Sequence, residues 1–364
     1  MNHHSSFRRY PTFRARVRRL VLGLTATVAM VLGMAGVGTS AAEADTVIAT
    51  IPVGIDPFGV AITPDGAFAY VANAGANTVD VIDTATNMVV ATIPVGAEPV
   101  GVAITPDGAF AYLTNFGAGT VDVIDTSTNM VVANIPVGLA PVFVAITPDG
   151  AFAYVTNFGA GGTVDVINTA TNMLVATVPV GLAPFGVAIT PDGAFAYVTN
   201  FGAGGTVDVI NTATNMVVAT VPVGLAPFGV AITPNGAFAY ITNSGANTVS
   251  VIDTSTNMVV ATIPVGVNPE GVAITPNGTR AYVTNAVDGT VSVIDTATNT
   301  VIEIVPVGND PRGLAITPDG AFAYVTNNNA DTVSVIAIDQ CLGSLCLDLG
   351  SLTGSGSGAG SAFS

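Results

Sequence analysis

The sequence predicts an all-β fold, a seven-bladed β-propeller of four-stranded antiparallel blades, with the ring closed by an N-terminal strand that completes the last blade. Three observations predict it. The tetrapeptide TP(D/N)G recurs with its threonine at Thr63, Thr105, Thr147, Thr190, Thr233, Thr275 and Thr317, a period of 42 or 43 residues, which is the length of a four-stranded blade. Each period holds four short β-rich runs separated by turn residues. The two ends of the array are complementary: the last unit stops after TVSVIAID (Thr332 to Asp339), whereas the chain opens with TVIATIPVG (Thr46 to Gly54), a fourth strand with no unit before it. An open solenoid would instead need atypical capping repeats.

Within one unit, GVAIT (Gly59 to Thr63) is the first strand, and TPDG places Pro and Gly where a hairpin turn uses them. AFAYVAN (Ala67 to Asn73) and TVDVID (Thr78 to Asp83) alternate with the period of a strand. DTATN makes the next turn through side chains that bond their own backbone. MVVATIPVG (Met88 to Gly96) is the fourth strand, and its Pro94 removes a ladder donor, which an edge tolerates and a sheet centre does not. The fourth strand is therefore expected outermost, its proline discouraging edge pairing. Two consecutive units, 147–189 and 190–232, differ only at Leu174 against Val217.

Six of the eight basic residues (Arg8, Arg9, Arg14, Arg16, Arg18 and Arg19) precede an apolar run from Leu20 to about Val37, followed by Ala42-Glu43-Ala44. That order reads as an export signal cut near Asp45, although the run is also just long enough for an uncleaved anchor. The expected division is a signal at 1–44, a propeller at 45–339 and a Cys loop with a Gly/Ser-rich tail at 340–364. After residue 44 the chain carries twenty-three acids against Arg280 and Arg312, a net charge of −21, and no Lys, His or Trp. Such a body is expected to be secreted or held at the cell surface, to lack a membrane span once the signal is gone, and to repel nucleic acid. Cys341 and Cys346 read as a small disulfide loop in an oxidising compartment, with free or intermolecular thiols the other reading.

AYVTN, with TPDG before it and VIDTATN after it, resembles the YVTN β-propeller repeat family. That family includes exported YncE-like proteins and repeats of surface-layer proteins. The resemblance runs from about Thr46 to Asp339. It implies a propeller and no single activity, because propellers host unrelated functions.

The absence of His after residue 44 removes a Ser-His-Asp triad and a three-His metal centre. No catalytic residue and no cofactor are therefore expected. Carboxylates, with Ca²⁺ as the one metal they leave open, are the remaining enzymatic route. Most acids recur at turn positions, Asp65, Asp107, Asp149, Asp192 and Asp319 in TPDG and Asp83, Asp125, Asp253 and Asp295 in the DTATN turn, where turn chemistry accounts for them. Asp80, Asp122, Asp165 and Asp208 form a row inside the third strand, and the sequence offers them no partner.

The variable positions carry the functional expectation. The residue after the proline of the first strand is Phe58, Val100, Val142, Phe185, Phe228, Glu270 or Arg312, expected to ring the channel mouth. The loops between second and third strands add Phe116, Phe158 and Phe201, beside Leu139, Leu182 and Leu225. One half of this face is apolar and the other, with Asp56, Glu98, Glu270, Asp310 and Arg312, is charged. Two readings of the aromatics are open, an exposed contact patch for a protein or cell-envelope ligand or an inward channel plug. Glu270 and Arg312, on adjacent blades, are read as an ion pair that is either structural or ligand-facing. Arg280 stands where six blades carry Phe, and either reaches an acid on a neighbouring blade or extends to solvent. The expected function is a non-enzymatic interaction platform, the alternatives being a small-ligand or lactonase-like site at the channel mouth and a structural surface-layer component.

Overall fold

The computed structural model describes residues 44–339 except 160 and 203. The segments read as signal and tail, with Cys341 and Cys346, lie outside the described residues. Strand β1 (Thr46–Pro52) is followed by the first blade, β2 (Pro57–Ile62), β3 (Phe68–Asn73), β4 (Thr78–Asp83) and β5 (Met88–Pro94). Five further blades repeat this order as β6 to β25, between Pro99 and Pro306. The last blade holds β26 (Pro311–Ile316), β27 (Phe322–Asn327) and β28 (Thr332–Ala337), with β1 as its fourth strand in the order β1-β28-β27-β26. The inner strands β2 and β26 pack on each other as neighbouring blades do, so the ring closes. Among the described residues the one helical element is a 3-10 turn at Asn328–Ala330, and no helix is long and apolar enough to cross a membrane.

The repeated turns behave as their residues dictate. Thr63 Oγ1 donates to Asp65 Oδ1 at 2.5 Å, and the Gly66 amide returns to the Thr63 carbonyl at φ +76°, a conformation that favours glycine. The Thr hydroxyl first, then the Ala67 amide, holds the Asp65 carboxyl below its ordinary 3.8, and Asp107, Asp149 and Asp192 repeat the arrangement. At the other turn Asp83 accepts from the Thr86 amide at 2.9 Å and Asn87 adopts a left-handed φ of 54°.

Each outer strand is exposed along much of its length, as an edge should be, and carries a bulge where its register shifts, between Val47 and Ala49 in β1 and opposite Val81/Ile82 in β5. The bulged residues Ile48 and Val90 point to solvent. A bulge twists the edge away from flat pairing, a device the sequence pattern did not disclose.

Blades hold to one another through three rows of polar side chains. The tyrosine of each second strand is buried, and in six of the seven it donates its hydroxyl to the asparagine that ends the next blade's DTATN-type turn: Tyr70 to Asn129, Tyr112 to Asn172, Tyr154 to Asn215, Tyr197 to Asn257, Tyr240 to Asn299 and Tyr324 to Asn87, at 2.6–2.8 Å. Two residues on, the threonine donates to a carbonyl on the next inner strand, as Thr114 does to Val142, Thr199 to Phe228 and Thr326 to Phe58. The buried Asp row has its partners here too. Asp80 accepts from the Gly54 amide of the inter-blade loop at 2.8 Å and from Thr92 Oγ1 at 2.6 Å, and Asp122, Asp165 and Asp208 bond Gly96, Gly138 and Gly181 in the same way.

Tyr282 has no such asparagine to reach, because its neighbour is the blade assembled from both termini. Asp45 takes that place. It accepts from the Tyr282 hydroxyl, from Arg280 Nη1 at 3.3 Å and from the Asp339 amide at 2.7 Å. One buried carboxylate thus joins the start of β1, the end of β28 and the neighbouring blade, and Arg280, the departure from the Phe row, supplies its countercharge.

The threonine row has one gap, Ala72, opposite the Val100 carbonyl. Ala72→Thr should add the seventh bond and stabilise the ring by about 0.5–1.5 kcal/mol, read as a higher denaturation midpoint with unchanged slope; an unchanged or lower midpoint would show that the row does not bear on stability. Burial raises the six Asn-bonded tyrosines from 10.0 to about 12. A raised folded-state value favours the neutral phenol, so their stabilisation is complete below pH 10 and is lost as pH climbs towards 12. Tyrosinate absorbance should therefore rise together with loss of the circular dichroism signal above pH 10, whereas titration of an intact fold near pH 10 would contradict the burial.

Candidate functional site

The seven inner strands surround the channel, and a break in register follows the proline of each, between Pro57 and Val60 in β2 and between Pro311 and Leu314 in β26. The two residues inside that break face the channel or its mouth. The second of them is glycine in six blades for a steric reason: a Cβ on Gly59 would stand 2.4 Å from the Val100 carbonyl of the next blade. The third blade carries Phe143 instead, and its amide sits 3.1 Å from Thr156 Oγ1 where Gly101 and Gly186 sit 2.8 Å from theirs. The sequence reasoning passed over Phe143, although its break in a glycine row was the available signal.

Phe143 joins an aromatic cluster on the channel axis. Val100, Val142, Phe185 and Phe228 form its buried part, with Phe58, Phe116, Phe143, Phe158 and Phe201 packed against them. Phe185 and Phe228 lie 3.9 Å apart between ring centroids, and Phe158 meets Phe185 edge-on at 6.0 Å. With 9% and 7% exposure, Phe185 and Phe228 form the interior of a plug and offer no surface as contact anchors. Leu139, Leu182 and Leu225, exposed by 72%, 64% and 63% on three successive blades, are the largest apolar side chains of the entry loops that face solvent, and Val267 on the next blade and Ile55 at the same loop position are exposed as well. Their loops are braced from beneath: the Phe158 and Gly159 amides bond the Ala140 and Leu139 carbonyls at 2.9 and 3.0 Å, and Phe201 and Gly202 repeat this at Ala183 and Leu182.

Across the mouth, Glu270 and Arg312 are brought together as the sequence suggests. Arg312 Nη1 donates to Glu270 Oε1 at 2.5 Å and its Nη2 to Asp310 Oδ2 at 2.8 Å, while Asn268 Nδ2 also donates to Glu270 Oε1 at 2.9 Å. The guanidinium lies 5.8 Å from the Phe58 ring centroid, within cation–π range. Burial raises the Glu270 carboxyl above its ordinary 4.5, with the Arg312 charge opposing, and the guanidinium of Arg312 is held charged by Glu270 and Asp310 against its own desolvation. Asp56 and Glu98 stay on the loops, their amides bonded to Asp331 and Asn77 side chains. Among the described residues no three of His, Cys, Asp and Glu converge as metal ligands.

A family model described as "Lactonase, 7-bladed beta-propeller" matches residues 184–352. A protein of Mycobacterium tuberculosis described as a seven-bladed beta-propeller protein is 49% identical over 53 residues, a segment that spans 14% of this chain and only 14% of that protein. Among solved structures, hydrazine synthase of Kuenenia stuttgartiensis superposes with a TM-score of 0.74 at 26% identity, covering 78% of this chain and 96% of that one. All three likenesses agree with a seven-bladed propeller.

Removing one partner of a buried pair strands the other. Arg312→Phe, the residue three other blades use there, should cost about 3–5 kcal/mol and raise the Glu270 carboxyl further. The double variant Glu270→Val/Arg312→Phe should recover most of that loss. Urea denaturation and the carboxyl ¹³C shift of Glu270 test both; equal stability of the single and double variants would show that the pair is not coupled.

Proposed function

We propose that the chain is an exported, non-enzymatic interaction platform whose loop face holds a protein or cell-envelope partner. The observation that carries this is the crescent of Leu139, Leu182 and Leu225, three large apolar side chains more than half exposed on loops that hydrogen bonds and an aromatic plug hold rigid. A rigid apolar surface binds with little ordering cost, and contiguous exposed apolar area marks contact sites. Phe116, Phe158 and Phe201 support the leucines from below as half-buried parts of the patch.

The −21 charge of the chain after residue 44, with Glu98 on the loop before the crescent, favours a partner with an apolar centre and a basic rim. The YVTN resemblance and the signal-like N-terminus support a platform outside the cytoplasm, secreted or at the cell surface. The lactonase family match favours a second reading, a hydrolytic or small-ligand site at the mouth drawing on Asp56, Glu98 and Asp310. That reading predicts lactone hydrolysis lost on replacing these three acids with their amides.

The platform is tested with Leu139→Ser/Leu182→Ser/Leu225→Ser. These side chains leave the core untouched, so the melting temperature should hold while recovery of envelope proteins by the immobilised chain is lost. Unchanged recovery would reject the leucine crescent as the contact surface.

A further inference from the structure

The seam beside the last blade carries a departure from the repeat that the tyrosine row does not explain. In other blades the amide of the turn asparagine closes on the carbonyl four residues earlier, as Asn87 does on Asp83, Asn129 on Asp125 and Asn299 on Asp295, each at 2.8 Å. Asp45 stands at the same position ahead of β1 but has no repeat unit before it, so its amide needs another acceptor. Glu303 supplies one. It lies on β25 (Thr300–Pro306), the outer strand beside β1, where every other outer strand carries alanine, as at Ala49 and Ala261. Burial raises the Glu303 carboxyl above its ordinary 4.5, and a hydrogen bond from the Asp45 amide opposes that rise.

The surroundings of that amide are short of positive charge. Asp45, Glu303 and Asp339, which follows β28, gather around Arg280 alone, and Asp295 at the end of β24 also feels that guanidinium. Burial first, then its bond to Asp45, pushes the Tyr282 hydroxyl well above its ordinary 10.0, so it adds no charge. Asp45 is only 4% exposed, whereas Ala44 just before it is exposed. The chain therefore leaves the ring at the 44–45 peptide bond, where the export signal ends. We propose that hydrolysis of this bond turns the Asp45 amide into an α-ammonium that Glu303 holds as an ion pair, so that processing completes the seam. An external signal peptidase adds water across the bond: the C–N bond breaks, the oxygen joins the Ala44 carbonyl carbon as a carboxylate, and the nitrogen leaves as an ammonium. One donor becomes three, and three carboxylates then face two cations in place of one. A charged donor binds a carboxylate roughly twice as strongly as a neutral amide.

The inference rests on the exported reading of the N-terminus, and the cut and the pocket are tested separately. Mass spectrometry of the chain recovered outside the cytoplasm of its source should give Asp45 as the first residue. An exported chain that begins elsewhere would overturn the inference alone, whereas an uncut chain kept in the cytoplasm would overturn the export reading with it. The pocket is tested on the processed chain, 45–364, which holds every strand of the seven blades. It is compared with the same chain acetylated at the α-amine, which keeps one N–H and removes the charge as the uncut bond does. Acetylation should lower the urea midpoint at pH 7 by on the order of 0.3 M, and should have no effect in Glu303→Ala, the residue of the other blades. The α-amine should titrate above the ordinary range of about 7.7–8.0. A raised folded-state value favours the ammonium, so its stabilisation is complete below that range and is lost as pH rises through the raised value. Equal midpoints of the free and acetylated chains, a loss on acetylation that persists in Glu303→Ala, or an α-amine that titrates within or below the ordinary range would overturn the assignment.

Discussion

The tyrosine hydroxyl that crosses from each second strand to the next blade is the interaction on which the ring depends. It reaches a residue that is present only if the next blade has folded its own turn, so each blade's packing depends on the turn of its neighbour. A phenol buried without a partner would cost about 1–3 kcal/mol, which makes the row a strong constraint on sequence. The threonine two residues later does the same nearer the axis, and the tyrosine recurs in all seven second strands and the threonine in six. Seven near-copies follow from a geometry in which every blade presents one set of donors and meets one set of acceptors.

The seam shows how strict that requirement is. The last blade has no turn to offer Tyr282, and the chain supplies Asp45 with Arg280 beside it, two departures from the repeat that answer each other. The same logic explains Phe143 and the Glu270–Arg312 pair at the other end of the channel. Positions that face neighbouring blades depart from the repeat at few places, Ala72, Phe143 and Arg280 among them, whereas the residues around the channel mouth vary from blade to blade.

Much of this was legible in the sequence because periodicity is a property of sequence. The period gave the number of blades, the mismatched ends gave the closure, and the turn residues gave the boundaries. The partners of Asp80 and Asp45 were not legible, because both reach backbone or side chains of another unit, at sequence distances that no local pattern encodes. The site was half legible. The pairing of Glu270 with Arg312 followed from their places on adjacent blades, but whether Phe185 and Phe228 turn inward depends on the width of the channel and on Phe143 filling it from the third blade.

The central claim is that the N-terminal strand is an integral part of the ring, locked by inter-blade bonds around Asp45. Native-state hydrogen exchange under low denaturant measures it directly. The account predicts that hydrogen-bonded amides of β1 exchange only with the global opening that also releases β27 and β28. A separate, lower-energy opening that exposes β1 while the other blades stay protected would contradict it.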